Sequence, residues 1–229
     1  MTNQQMNQEL FDLYVDWAPK FYSTIKARAR ERYISHPHLI EVSAHYAMQK
    51  IRVMIVGQQA RDWRGQLEHP LTAKDVRDLM KFYSQFQLGK YEKRSVFWQG
   101  VRRLAQRLYP KASIKGFVWT NLIKFDGGDA PPPWDLVQAY FQNLAILARE
   151  IEILQPNAVV FFTGPNYDDA IRSIFKGVQF QPVLHGVPPR DFAQVIHPQL
   201  PEKSYRLYHP VRLRLTGMWH HIDEVAQLI

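Results

Sequence analysis

The sequence predicts an α/β fold: one α/β/α sandwich around a central four-stranded, mostly parallel sheet. Three observations carry this. The runs IRVMIVG (51–57), FVWTNLI (117–123) and AVVFFTG (158–164) are short, apolar and β-branched, without polar alternation. Such runs suit strands buried on both faces. Stretches with apolar residues three and four apart alternate with them, as in a parallel sheet whose crossovers are helices. No repeat or low-complexity linker divides the 229 residues, a length that suits one domain.

The elements follow in order. Leu10, Leu13, Tyr14, Trp17 and Phe21 share one helical face, predicting a helix over 7–32 that Pro19 kinks or divides. A second helix is expected over 38–49, and residues 1–50 are expected to pack on the rest of the domain. After the first strand, Thr72 is placed to cap a helix reaching about Gln87, and 94–108 also has helical spacing. The second strand leads into the loop DGGDAPPPW, then a long helix over 135–154 that Pro156 stops. The third strand precedes a helix over 167–175. FAQVIHP (192–198) and SYRLYHP (204–210) compete for the last strand, and 218–228 closes the chain as a helix. Ligands of such sheets bind at the carboxyl ends of the strands. The loops after Gly57, Asn121, Gly164 and either His197 or His209 are therefore the candidates for a site.

Composition narrows the chemistry. With no cysteine, disulfides, thiolate metal sites and a cysteine nucleophile are excluded. The formal charge of +8 favours a polyanion, nucleic acid before membrane. No apolar run is long enough to cross a bilayer, and MTNQQMNQEL does not read as a signal peptide, so a cytoplasmic protein is expected. Asp126 and Asp129 share a loop, but two carboxylates make a weak metal site, and no metal or cofactor is expected.

Taken together, VGQQARDW (56–63), WTNLIKFDGG (119–128), the run from Glu152 through FFTG to 171, and YHPVRLRL (208–215) resemble the motifs of the uracil-DNA glycosylase superfamily in order and spacing. The resemblance covers the chain from about Ile51 onward. It implies a monomeric, monofunctional DNA glycosylase. Such an enzyme flips a nucleotide from DNA and hydrolyses its N-glycosidic bond, leaving an abasic site without a cofactor.

The resemblance also implies roles. His209, in the His-Pro pair that matches the family's motif, would stabilise the departing base. His197–Pro198 is a rival pair, and His209 is preferred because the basic VRLRL segment follows it. Asn121, whose amide offers both donor and acceptor, would read the base edge; otherwise it caps a turn. Gln58 and Trp63 are further base-binding candidates, Trp63 being otherwise an ordinary core tryptophan. Lys124 would touch phosphate or lie in solvent. Arg212, Leu213 and Arg214 would enter the gap left by the flipped nucleotide or form a solvated basic turn. Gly164–Pro165–Asn166 offers backbone N–H groups to a phosphate.

The first motif departs from the family. Gln59 stands where the fastest uracil-excising members have an acid, so either Gln59 holds the attacking water or Asp62 activates it. Ala60–Arg61–Asp62–Trp63 replaces the pocket-closing residues. That points to a modified or damaged pyrimidine, as in relatives that defend bacteria by excising modified phage cytosines. The alternatives are ordinary uracil repair and a non-catalytic DNA-binding protein on the same fold.

Overall fold

The strand Val53–Gln59 (β1) anchors the sheet, flanked in parallel by Phe117–Ile123 (β2) and Ala158–Phe162 (β3). The apolar residues of all three strands are buried along their length, so helices cover both faces of this part of the sheet. Lys203–Leu207 (β6) continues the parallel order beside β3. Phe192–Ile196 (β5) then pairs antiparallel with β6, and Gln179–Pro182 (β4) antiparallel with β5. The order is β2-β1-β3-β6-β5-β4. This computed structural model describes residues 1–109, 116–128 and 130–229.

The α/β class holds, but the sheet has six strands and mixed direction instead of four mostly parallel ones. Both competing segments became strands. The missed strand, QFQP, is largely exposed at the sheet edge, where no core demands an apolar run.

The helices differ where tertiary contacts intervene. The first, Asn3–Phe21 (α1), starts at a Thr2–Gln5 capping box and passes through Pro19. It widens into a π turn over Tyr22–Lys26 and ends as Ala27–Ala29 (α2). The expected helix over 38–49 shrinks to Ala44–Ala47 (α3). Upstream, the backbone N–H groups of Ser35 and His38 donate to the carbonyls of Asp126 and Lys124, so this stretch is spent as a strap. Thr72 does cap Ala73–Phe86 (α4), and Ser95 caps Val96–Leu108 (α5).

The predicted 135–154 helix is broken into Trp134–Asn143 (α6) and Leu147–Leu154 (α7). At the break, Trp17 Nε1 donates to the Leu144 carbonyl at 2.7 Å. Asp168–Ile174 (α8) follows β3, and Pro210–Leu215 (α9) is a short helix where a turn was expected. His221–Leu228 (α10), led by a 3-10 turn over Met218–His220, closes the chain and packs on α5. Met6, Leu10, Tyr14 and Phe21 of α1 join the strands in one buried core.

Candidate functional site

Beyond the carboxyl ends of β1, β2 and β6 lies a cleft of about 1080 Å³. It gathers Gln58, Gln59, Asp62, Trp63, Asn121 and His209, six of the residues singled out above. Strands running in one direction deliver these distant residues to one edge.

Gly57 and Asn121 face each other in the β1–β2 register. A Cβ on Gly57 would lie 2.4 Å from the Asn121 side-chain amide, so glycine lets the amide lie across the neighbouring strand. In its hydrogen-bonding orientation that amide accepts from Ala60 N–H at 3.3 Å and donates to the Thr120 carbonyl at 3.2 Å. One N–H and one lone pair are left for a ligand.

His209 caps α9. Its Nδ1 accepts from the Val211 N–H at 3.3 Å, which puts the neutral ring's proton on Nε2. The ring stacks on Phe97 with centroids 5.5 Å apart, and burial pushes its pKa down to about 4. It is thus a neutral N–H donor at physiological pH. His197 sits elsewhere: β5 runs against β6, so it ends at the opposite edge of the sheet. There its ring nitrogens meet the Lys176 carbonyl at 3.1 Å and the Gln199 N–H at 3.2 Å.

The two glutamines brace the loops. Gln58 Nε2 donates to the Thr163 carbonyl at 2.8 Å, tying β1 to the end of β3. Gln59 Oε1 accepts from Tyr167 OH at 2.9 Å. Asp62 has a left-handed backbone (φ 45°) and accepts from the Tyr33 hydroxyl. Asp126, a buried carboxylate in the loop after β2, accepts the Gly128 N–H at 2.6 Å through one oxygen, while its other oxygen is buried without a hydrogen-bond partner. Burial raises the Asp126 pKa, while the backbone amides of Gly128, Asp62 and Trp63 pull it back. Asp129 lies outside the described residues.

Trp63 is a core tryptophan with an edge on the cleft. It is buried among His38, Phe82, Phe86 and Trp119. Its Nε1 has no hydrogen-bond partner in the protein.

Two sequence expectations fail. Lys124 does not reach phosphate: it is fully buried, with Nζ 2.6 Å from Glu150 Oε2 and donating also to Thr120 Oγ1. Its side chain turns back under the sheet to meet Glu150 of α7, an acid the sequence reading overlooked. Glu150 also accepts from Tyr14 OH at 2.7 Å. Leu213 is also fully buried, on the inner side of α9, and cannot enter DNA. The exposed apolar residues of α9 are Val211 and Leu215, one helical turn apart. Arg212 and Arg214 are exposed as expected, Arg214 lying over Trp219 and bonding Gln99 at 2.6 Å.

Glu92, Arg94 and Phe97 also line the cleft and were not anticipated. They sit at or just before the start of α5, where spacing announces a helix but not its direction. A smaller cavity of about 310 Å³ lies beside His209, lined by Thr163, Asn166, Arg190 and Arg212. Thr163 Oγ1 is buried there without a protein partner. Among the described residues, His220, His221 and Glu224 are close enough together to hold a metal ion, and they are not part of the cleft lining. No described helix is long and apolar enough to cross a membrane. No protein-family model matches this chain, and no curated protein matches it either.

Proposed function

We propose that the chain is a monofunctional DNA glycosylase that flips a modified or damaged pyrimidine into the cleft and hydrolyses its N-glycosidic bond. One observation carries this reading: a neutral, N–H-donating His209 and a half-satisfied Asn121 amide line one cleft at the carboxyl edge of the sheet. As the bond to the sugar breaks, its electron pair leaves with the base and negative charge grows on the base oxygens. A donor aimed there gains strength as the charge develops, which favours the transition state over the ground state. Asn121 supplies a donor and an acceptor to the base edge.

Water adds to the sugar carbon, and its proton passes to a carboxylate. Asp62, fixed by Tyr33, is the candidate base. Gln59, its oxygen already engaged by Tyr167, has its amide nitrogen to offer the water. Among the described residues lining the cleft there is no lysine, which favours water over an amine as nucleophile. A cleft near the upper end of small-molecule pocket sizes suits a substituted base better than plain uracil. Arg190 and Arg212 in the adjacent cavity suit a flanking phosphate.

The deciding experiment incubates the protein with DNA carrying uracil, hydroxymethyluracil, hydroxymethylcytosine or glucosylated hydroxymethylcytosine, then cleaves abasic sites with alkali. Strand breaks at a modified pyrimidine are expected. Intact strands with every base, alongside DNA binding, would leave the non-catalytic reading. That binding should weaken steeply with salt, since a net charge of +8 points to phosphate contacts; equal affinity at low and high salt would count against it.

A further inference from the structure

We propose that a second cavity beside the cleft seats the base next to the flipped one, so that the site is built for unpaired DNA. The inference rests on the glycosylase reading. This cavity, about 800 Å³, shares Gln59 and Pro131 with the cleft. The Tyr167–Gln59 hydrogen bond stands at the boundary, because Gln59 lines both spaces and Tyr167 lines the second.

Trp134 also lines the second cavity. It is 71% exposed, a heavy exposure for so large an apolar side chain. The backbone that carries it is restrained. Three consecutive prolines precede it, each with a restricted φ, and the Pro133 carbonyl accepts the N–H groups of Leu136 and Val137 at 3.0 and 3.1 Å. An exposed indole on a restrained backbone is a stacking platform, and stacking tolerates any base because every base has a π face.

The rest of the wall supplies polar edges with little net charge. Gln138 and Gln142 lie one turn apart on α6, with Asn166 also in the lining. Amides offer both donors and acceptors to a heteroaromatic ring. Of the charged groups, Asp169 is paired with Arg172 at 2.8 Å, and Lys176 is the single cation among the described residues of the lining. An uncharged ring suits this cavity, whereas the cavity holding Arg190 and Arg212 suits phosphate. Filling both base sites at once requires two neighbouring nucleotides to leave the stack. In duplex DNA each carries an unstacking and unpairing cost, which a single strand largely avoids.

The test measures fluorescence anisotropy with a labelled single strand and a blunt duplex of the same sequence. It compares wild type, Trp134→Ala and Trp134→Phe. Trp134→Ala should weaken single-strand binding about tenfold, leave duplex binding within about twofold, and be largely rescued by phenylalanine. Wild-type affinity of Trp134→Ala for the single strand, or equal loss on both DNAs, overturns the second base site and leaves the glycosylase reading standing. If wild type binds neither DNA, the glycosylase reading fails and this inference falls with it.

Discussion

His197–Pro198 and His209–Pro210 are the same dipeptide placed just after a strand, yet they meet opposite environments. His209 follows β6, which runs with β1, β2 and β3, and so arrives at the edge where Gln59 and Asn121 also end. His197 follows β5, which runs the other way, and both its nitrogens are taken up by nearby backbone. His209 spends one nitrogen on its own helix and lines the cleft. The difference teaches that strand direction, not the dipeptide, decides which histidine lines the cleft.

Asn121 and Lys124, only three residues apart, are both buried, but Asn121 lines the cleft whereas Lys124 turns inward to Glu150, and here the largest effect is expected. Lys124→Ala should destabilise the protein by about 3–5 kcal/mol, because Glu150 would keep a buried charge without its cation. Chemical denaturation measures this. A small loss of stability with a large loss of DNA affinity would move Lys124 back to the edge.

His209→Ala should slow single-turnover excision by a factor of roughly 10²–10³, as for loss of one donor to a developing anion. His197→Ala should leave the rate nearly unchanged. The reverse ranking would break the comparison outright. Asn121→Ala should follow with a loss of roughly tenfold to hundredfold, the scale of a two-point contact to a base edge. Its circular dichroism should match wild type; full activity in a folded Asn121→Ala protein would take the amide out of base recognition.

The smallest effect concerns pH. Burial holds the His209 pKa at about 4, below the ordinary histidine value. A lowered pKa means that the folded state binds fewer protons there. The stability that His209 contributes is therefore present above the ordinary value near 6.5 and is lost as pH falls toward about 4. The excision rate should accordingly show no His209 titration between about pH 5 and pH 8. An inflection near neutrality that vanishes in His209→Gln would show the ring to be far more solvated than the fold makes it.

Much of the fold was legible where local pattern and burial agree. β2 matches its predicted span, β1 and β3 shift by a few residues, and the Thr72 cap stands where its spacing put it. Elsewhere a distant partner overrode local propensity. Residues 35–38 form a strap because they bond the loop after β2, and the 135–154 helix breaks where Trp17 takes the Leu144 carbonyl. The candidate residues Gln58, Gln59, Asp62, Trp63, Asn121 and His209 were named from motifs, and strand ends bring them to one cleft. Glu92, Phe97 and Tyr33 carried no signal, since nothing local tells a helix start or a strap that it will face a cleft.

The sequence by itself determined the α/β class, three of the buried strands and the set of polar residues at their ends, because hydrophobic periodicity and β-branching act over a few residues. Only the tertiary structure decided that β5 runs backwards, that His209 and not His197 lines the cleft, and that Lys124 and Leu213 are interior. Those outcomes depend on which strand a segment pairs with and which partner, such as Glu150 for Lys124, closes over a side chain from the far side of the core. Such long-range contacts leave no periodic trace in the chain.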